Sequence, residues 1–512
     1  MSLTPHIAAG RRDWSETTLW LLAAALLCFN LFVLLHGLNN GINDLFGFRQ
    51  TQTALTAYWL IKEPHAFAYI TPALGAPWSV PFEYPIYQWL VVFLTKAGAP
   101  LIVAGRLIAF SAYVGCLLPL TMMARDLQIP RRAVLVVSIV YFACPFYTYW
   151  SRTFMIETTA LLFSLCWLAG FIRGRTNPTP LQWIATLGCG CLAVLTKSTT
   201  FLSIGPIAGA VYLFDAWIGL RGDRSAISGY RLFKQGLLCL FPLLIGAAWV
   251  AVSDHLKAAN AYGLQLSSGA LTAWNFGTLA QRFALKDTIS RSLKETFGYI
   301  GFVLPVLMVL CFIGSRYRTA ILFAVAGYLS AFLVFTNLHI VHTYYQSSNA
   351  IFACVAAGLA VASLSDKGWS KTALAVLFCI VASQLHYFHE FYWNAVANDN
   401  INSPPVLIAL AAKEATKPEE SLLVIGGDWS SVIPFYSERK SLMLPRFTPR
   451  PTFEKILADP QSFLDGARLG GIIDCRPAQE QKYRPEQTAR IDQFMVGRKV
   501  IFQNQYCSLV VP

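Results

Sequence analysis

The chain has 512 residues, a formal net charge of +13, and a composition that is 55% hydrophobic but only 13% charged. Soluble domains average about 25% charged residues, so this composition argues against a water-soluble protein. The positive charge does not indicate a nucleic-acid-binding protein, because the basic residues are dispersed between apolar segments and form no continuous basic face.

Apolar segments recur along the first three quarters of the chain, and a helix needs about 20 apolar residues to cross a bilayer. Arg11 and Arg12 precede the first segment, and no small-residue cleavage site follows it. It is therefore interpreted as a span and not as a cleaved signal peptide. We predict eleven transmembrane helices, at 17–36, 103–124, 133–150, 157–173, 181–197, 200–220, 233–252, 298–315, 319–337, 347–365 and 371–388.

Basic residues predict the orientation of these spans. With a cytoplasmic N-terminus, every predicted inner loop carries arginine or lysine, as the positive-inside rule requires. The inner-loop residues are Arg125, Arg131, Arg132, Arg173, Arg175, Arg221, Arg224, Arg231, Lys234, Arg316, Arg318, Lys367 and Lys371. A basic cluster in one predicted outer segment is an exception, formed by Arg282, Lys286, Arg291 and Lys294. We therefore predict a multi-pass protein of the plasma (inner) membrane. With a cytoplasmic N-terminus, an odd number of spans predicts a periplasmic or extracellular C-terminus.

Three long segments are predicted on the outer side, at 37–100, 253–295 and 389–512. Within the first, the apolar stretch Tyr84–Thr95 is too short to cross and is predicted to lie in the membrane interface as a helix. We therefore expect a transmembrane domain over residues 1–388 and a separate soluble domain after it.

The last segment, 389–512, has a soluble α/β character. Short apolar runs at Leu422–Ile425, Gly471–Ile473 and Val500–Phe502 are separated by polar and turn residues, which is typical of strands. Cys475 and Cys507 lie in this segment and either pair, as an oxidising compartment allows, or remain buried thiols.

The first outer segment contains the strongest candidate residues for chemistry. Asp44, Arg49, Gln52 and Glu83 lie there among aromatic residues. An arginine can bind phosphate with two hydrogen bonds, and a carboxylate can accept a proton from an acceptor hydroxyl. This combination suits a polar substrate attached to a lipid, although a solvated loop with interfacial aromatics would share it.

Further candidates lie at the predicted outer ends of later spans. Arg152 and Glu157 could form a structural ion pair, or Glu157 could join Glu83 in binding a divalent metal. A lysine at a span end either extends to the interface or meets an anion such as a lipid phosphate. The remaining candidates for binding phosphate or sugar hydroxyls are Lys197, His342, Tyr344 and Tyr345.

Four short segments resemble, in order and in predicted sidedness, elements of the GT-C class of integral-membrane glycosyltransferases. This class includes protein O-mannosyltransferases and bacterial lipid A aminoarabinose transferases, which use polyprenyl-phosphate sugars. The resemblance covers about residues 15–390 and implies a GT-C-like transmembrane domain. The segments are Phe82-Glu83-Tyr84-Pro85, Ser151-Arg152-Thr153 with Glu157, Leu195-Thr196-Lys197, and His342-Thr343-Tyr344-Tyr345-Gln346.

The resemblance implies an inverting transfer of a sugar from a polyprenyl phosphate to an extracytoplasmic glycan, lipid or protein. A carboxylate would take the acceptor proton, while Arg49, Lys197 and Arg152, with the His342–Tyr345 cluster, would stabilise the departing phosphate. The class usually carries an acid in Arg-Gln-x-Asp-Thr, where this chain has Gln52, which cannot act as a base. Glu83 is therefore the first candidate for the essential carboxylate and Asp44 the second; a metal on Glu83 and Glu157 stays open.

Two other functions remain as alternatives. A transporter or lipid flippase would place ionisable residues at the bilayer midplane, whereas the charges here concentrate at span ends. The second alternative is a catalytically inactive homologue that acts as a binding subunit, which the glutamine at position 52 keeps open.

Overall fold

The computed structural model describes residues 16–175, 178–220, 229–476 and 482–512. Within them the chain is mostly α-helical, with one small β-sheet near the C-terminus. Four of the basic residues named in the sequence, Arg11, Arg12, Arg221 and Arg224, lie outside the described residues.

The described residues up to 257 are mostly helical, and their longest non-helical stretch is 63–85, between α2 and α3. Pro145 splits the predicted span 133–150 into two helices, because proline lacks a backbone N–H and interrupts helical hydrogen bonding. The helices are α1 (Glu16–His36), α2 (Gly47–Lys62), α3 (Ile86–Lys96), α4 (Leu101–Gly115), α5 (Leu117–Asp126), α6 (Arg131–Ala143), α7 (Pro145–Trp150), α8 (Glu157–Arg173), α9 (Pro180–Thr196), α10 (Ser198–Leu220) and α11 (Gly229–Lys257).

Ten further α-helices follow in the described residues before the sheet. They are α12 (Thr272–Phe276), α13 (Leu279–Phe283), α14 (Lys286–Phe297), α15 (Leu304–Phe312), α16 (Arg318–Val334), α17 (Thr336–Val341), α18 (Ala350–Asp366), α19 (Ser370–Phe391), α20 (Trp393–Ala397) and α21 (Pro404–Ala415). The longest of them are α16, α18 and α19. A 3-10 segment, Thr343–Ser348, connects α17 to α18.

Five helical stretches in the described residues are long and apolar enough to cross a membrane: Glu16–His36, Leu101–Asp126, Ser198–Ile218, Gly229–Lys257 and Ser370–Phe391. Three shorter apolar helices are α9, α16 and α18. Each of the eleven predicted spans contains a helix, but the one within 298–315 has only nine residues, so the count of eleven stays a prediction. The predicted interfacial helix is α3, whose Phe93 is 75% exposed.

The C-terminal segment forms a five-stranded sheet with helices, as the sequence predicts for an α/β region. Its elements are β1 (Ser421–Ile425), α22 (Val432–Ser437), β2 (Ser441–Leu444), α23 (Arg450–Ala458), β3 (Leu469–Asp474), α24 (Pro485–Met495), β4 (Val500–Gln503) and β5 (Ser508–Val510). The strand order is β2-β1-β3-β5-β4. β2, β1 and β3 are parallel, and β5 and β4 are antiparallel additions. β1 is fully buried, as expected for a central parallel strand covered on both faces.

A disulfide joins Cys475, at the end of β3, to Cys507, just before β5. Of the two states that the sequence left open for these cysteines, the structure shows the bonded one. The bond ties the antiparallel edge of the sheet to its parallel centre.

The sheet is continuous with the first outer segment. The backbone N–H groups of Ser441 and Met443 in β2 donate hydrogen bonds to the carbonyls of Pro72 and Ala73, at 3.0 Å each. One hydrophobic core contains buried side chains of the sheet together with Leu74 and other residues of this segment. The C-terminal sheet therefore packs directly on the first outer segment.

Candidate active site

The start of the first outer segment is shaped by Arg106, a buried arginine in α4. Its guanidinium donates hydrogen bonds of 2.6–3.2 Å to four backbone carbonyls, those of Gly37, Leu38, Asn40 and Gly41. A charge inside an apolar helix is costly unless such partners surround it. Arg106 was not among the sequence-based candidates, although an arginine within a predicted span is itself a signal of function or of structural pairing.

The turn at Phe46 and Gly47 sets the position at which α2 begins. Phe46 precedes the helix with a left-handed backbone (φ 55°), and Gly47 opens it. A Cβ on Gly47 would lie 2.4 Å from Oδ1 of Asn43, so a larger residue would require movement there. This tight entry places Arg49 and Gln52 one helical turn apart on the same side of α2.

Arg49 and Glu83 form an ion pair between α2 and the chain that leads into α3. The Arg49 guanidinium also donates a hydrogen bond to Oε1 of Gln52, at 2.6 Å. The Tyr69 hydroxyl donates to the backbone carbonyl of Glu83 (2.6 Å) and accepts from the N–H of Phe82 (3.0 Å), which fixes this segment. The structure thus brings together three candidate residues of the first outer segment, of which Arg49 and Glu83 are 34 positions apart in the chain.

Glu83 is ionised in this environment. Burial acts to raise the pKa of Glu83, but the positive charges of Arg49 and Lys197 outweigh it and hold the pKa below its ordinary value. Its side chain is 25% exposed, so it is reachable from outside. Glu83 is therefore a carboxylate at neutral pH that can accept a hydrogen bond from an approaching hydroxyl.

Asp44, the second candidate carboxylate, is enclosed in a buried ion pair. Its Oδ2 lies 3.2 Å from Nη1 of Arg152, and both side chains are 1% exposed. Gln50 bridges this pair to the segment between α7 and α8, because its amide donates to Asp44 and its carbonyl accepts from the N–H of Phe154 at 3.0 Å. The structural Arg152–Glu157 pair considered from the sequence is therefore wrong, since Arg152 reaches Asp44 instead.

Glu157 pairs with Lys197. Lys197 interrupts the helix between α9 and α10 with an extended backbone (φ −162°, ψ 99°), so its side chain turns back towards the first residue of α8. Its Nζ lies 4.4 Å from the ring centroid of Tyr345 and 5.2 Å from that of Tyr344, which is cation–π distance. The lysine that the sequence placed near an anion or the interface is buried and meets both a carboxylate and two aromatic rings.

An aromatic wall joins these pairs. The rings of His342 and Tyr344 are stacked with centroids 5.3 Å apart, and Phe46 meets both edge-on. Burial and the charges of Arg49 and Lys197 lower the pKa of His342 to about 4, so its imidazole is neutral at pH 7. A neutral imidazole can donate or accept a hydrogen bond at this place.

Electrostatics couple the two ion pairs into one site. Burial lowers the pKa of Arg49, but the charges of Glu83, Tyr344, Tyr345 and Glu157 more than offset this and raise it. Both carboxylates therefore act on the same guanidinium. We call Arg49, Glu83, Glu157, Lys197, His342, Tyr344 and Tyr345 the candidate site.

Several buried polar atoms of the candidate site have no hydrogen-bond partner among the described residues. They are Nε of Arg49, Oε2 of Glu157 and Nδ1 of His342. Native proteins rarely leave buried polar groups unpaired without water or a ligand nearby. These atoms therefore mark where a polar ligand group can bind.

The two carboxylates named for a divalent metal each pair with a cation, and metal binding there stays a prediction. Glu83 is occupied by Arg49 and Glu157 by Lys197. No group of three or more His, Cys, Asp or Glu residues able to hold a metal ion occurs in the part of the chain that the structure describes.

Comparison with known proteins gives a fold and no sequence relative. No protein-family profile matches the sequence, and no curated protein matches it. The crystal structure of ArnT from Cupriavidus metallidurans bound to undecaprenyl phosphate superposes with a TM-score of 0.65 at 14% identity, over 97% of this chain and 98% of that one. The chain has the GT-C fold.

Two further GT-C structures support the assignment. The archaeal oligosaccharyltransferase AglB from Archaeoglobus fulgidus, in complex with an inhibitory peptide and a dolichol-phosphate, matches with a TM-score of 0.58 at 12% identity, over 90% of this chain and 70% of that one. The mycobacterial arabinofuranosyltransferase AftD matches with a TM-score of 0.53 at 11% identity, over 98% and 40% of the respective chains. The GT-C fold expected from four short motifs is thus confirmed over nearly the whole chain.

Proposed function

We propose that this protein is a membrane glycosyltransferase that moves a sugar from a polyprenyl-phosphate donor to an extracytoplasmic glycan, lipid or protein. The observation that carries the proposal is the coupled pair of ion pairs, Arg49–Glu83 and Lys197–Glu157, within a GT-C fold. This arrangement combines a partly exposed carboxylate with cations that can receive a leaving phosphate. Undecaprenyl phosphate and dolichol-phosphate, which the ArnT and AglB structures contain, are polyprenyl carriers of this kind.

The donor phosphate is expected between Arg49 and Lys197. Both cations are already neutralised by carboxylates, so an incoming phosphate competes with Glu83 and Glu157 for them. The free Nε of Arg49 and Nδ1 of His342 offer two further hydrogen-bonding positions without breaking any contact. Tyr344 and Tyr345 cover Lys197 and exclude water from this side, which strengthens the electrostatic attraction.

The proposed sugar transfer uses the charges of Glu83 and Arg49. The acceptor hydroxyl oxygen bonds to the anomeric carbon, the bond from that carbon to the phosphate oxygen breaks, and the polyprenyl phosphate leaves with the electron pair. Glu83 accepts the hydroxyl proton as this happens, and the withdrawal of Arg49 towards the phosphate raises the basicity of Glu83. Attack opposite the leaving phosphate inverts the anomeric centre.

The other candidate residues support this geometry. Gln52 is bonded to Arg49 and orients it, as an amide can do without acting as a base. The buried Asp44–Arg152 pair ties the turn before α2 to the segment before α8, and Arg49 and Glu157 lie near the starts of these two helices. We therefore assign proton transfer to Glu83 and a positioning role to Asp44.

Replacement of Glu83 tests the proposal. Glu83→Gln keeps the shape of the side chain and removes the base, so we expect sugar transfer to fall by at least about 100-fold while the protein remains folded. Mass spectrometry of envelope glycans and lipids from cells with and without the wild-type protein identifies the product. The same analysis of the variant measures the loss.

A matched control is Glu390→Gln, which changes an outer-segment carboxylate at the end of α19 and should leave transfer unchanged. Full activity of Glu83→Gln would remove Glu83 from the reaction. Transport or lipid scrambling by the purified protein in liposomes, with no change in any glycan, would overturn the proposed transfer altogether.

A further inference from the structure

An unusual turn leaves β1 and points towards the candidate site. Gly426, Gly427 and Asp428 follow the strand with left-handed backbones, at φ 90°, 78° and 57°. A Cβ on Gly426 would lie 2.7 Å from the backbone of Cys475, so the turn depends on glycine there. Asp428 adopts this conformation with a side chain, which costs free energy although Asp tolerates it better than most residues.

The turn brings Trp429 onto two rings of the first outer segment. The Trp429 ring centroid lies 5.1 Å from that of Phe48 and 5.5 Å from that of Phe82. Phe48 directly precedes Arg49, and Phe82 directly precedes Glu83. The three rings, which we call the aromatic platform, thus include the chain neighbours of both members of the Arg49–Glu83 pair.

The aromatic platform is one of several contacts between the C-terminal sheet and the first outer segment. β2 already pairs with residues 72 and 73, and the Tyr436 hydroxyl accepts from the N–H of Ile42 at 2.8 Å. Tyr58 donates to Glu438 at 3.0 Å. Buried apolar contacts accompany these bonds, whereas all three platform rings remain partly exposed.

We propose that Trp429, with Phe48 and Phe82, binds a sugar ring of the acceptor, so that the acceptor is a saccharide. This inference rests on the proposed transfer. A pyranose has an apolar C–H face that packs on an aromatic ring, and hydroxyls at its edge that need hydrogen-bond partners. Arg49 supplies donors and Glu83 an acceptor beside the rings, which matches that edge. A hydroxyl held there is next to the base.

Binding without turnover tests the inference directly. In the absence of donor no transfer occurs, so the full-length wild-type protein in detergent can be probed with oligosaccharides released from the cell envelope by mild acid. Saturation-transfer NMR should show strong transfer to the ring C–H protons of the saccharide. Trp429→Ala should reduce the affinity about tenfold, the loss of one aromatic contact, and Trp429→Phe should retain most of it.

Two comparisons exclude a merely structural effect. Tyr436→Phe removes a contact between the same two segments and should leave saccharide binding unchanged. In the transfer assay, Trp429→Ala should raise the acceptor KM about tenfold and leave the affinity for polyprenyl phosphate unchanged. Unchanged binding and KM in Trp429→Ala, or displacement of the saccharide by a serine- and threonine-containing peptide, would overturn the inference.

The outcomes separate this inference from the proposed function. If Trp429→Ala still transfers sugar with an unaltered acceptor KM, the aromatic platform does not bind the acceptor, and the proposed glycosyltransferase function stands. If saccharide binding depends on Trp429 but no sugar is transferred from any polyprenyl phosphate, the aromatic platform binds a saccharide, and the proposed glycosyltransferase function is wrong.

Discussion

At the scale of single residues, the candidate site depends on charges that are buried in pairs. The Lys197 and Glu157 side chains are 2% and 5% exposed. Removing one member of such a pair leaves the other charge uncompensated, whereas removing both does not. Stability and chemistry can therefore be separated at this pair.

Lys197→Met should lower the free energy of unfolding by about 3–5 kcal/mol, because it leaves the Glu157 carboxylate buried without a partner. The double variant Lys197→Met/Glu157→Gln should recover most of that stability but not sugar transfer, since the phosphate then lacks its lysine. Thermal unfolding in detergent and the transfer assay measure the two effects.

Lys96→Met, at the exposed end of α3, serves as the matched control and should change neither quantity. A Lys197→Met variant as stable as the wild type would show that the pair is not buried in the folded protein. An active double variant would remove Lys197 from phosphate binding.

The residue types of the site were readable from the sequence, but their partners were not. Arg152 and Glu157 are close along the chain and were considered as a pair, yet their partners lie 108 and 40 residues away. Such contacts depend on where α8 sits against α2 and α10, and a local pattern does not contain that information. The sequence indicated Arg49 and Glu83 as candidates of one outer segment, but only the fold brings them into an ion pair across 34 positions of chain.

At the scale of elements, α13 and α14 explain the basic cluster on the predicted outer side. Arg291 donates to the carbonyls of His339 and Ile340 at 2.7 and 2.9 Å, and Arg282 donates to those of Leu333 and Phe276. These arginines hold α13 and α14 against α16 and α17. The charges of these two arginines are thus used for internal contacts, which accounts for two of the four basic residues in the predicted outer cluster.

α14 also carries a buried acid that titrates near neutrality. Burial raises the pKa of Glu295 from 4.5 to about 7, although Arg291 and Gln346 act to lower it. The folded protein therefore keeps a proton on Glu295 that the unfolded chain loses above pH 4.5. Between those pH values the unfolded state binds fewer protons, so stability must fall as pH rises.

Between about pH 4.5 and 7, we expect the free energy of unfolding of the wild type to fall by on the order of 3 kcal/mol relative to that of Glu295→Gln. Above that range we expect no further fall. Thermal unfolding of both proteins across pH 4.5–8.5 measures the difference, in which the other titrating groups cancel. Parallel curves for the two proteins would show that Glu295 ionises normally.

At the scale of the whole molecule, the C-terminal sheet, the first outer segment and the candidate site form one unit. β2 pairs with residues 72 and 73, and the aromatic platform lies at their junction. The sheet must therefore lie on the same side of the membrane as Glu83. The Cys475–Cys507 disulfide fits an oxidising compartment there.

The sidedness itself is a prediction that reporters can test. Alkaline phosphatase fused after Pro512 should be active in cells, and a green fluorescent protein fused there should stay dark, because the C-terminus is expected outside the cytoplasm. Cys475 and Cys507 should react with a maleimide only after reduction. The reverse reporter pattern would place the candidate site in the cytoplasm and would contradict the proposed use of a donor on the outer side of the membrane.

The sequence by itself determined the membrane character, the GT-C fold and the residue types at the site, because apolar length, basic loops and short motifs are local properties. Tertiary structure decided which charges pair, that the sheet joins the first outer segment, and that Trp429 reaches the phenylalanines beside Arg49 and Glu83. Those contacts join residues far apart in the chain, and their free energy depends on burial and distance, which exist only in the folded protein.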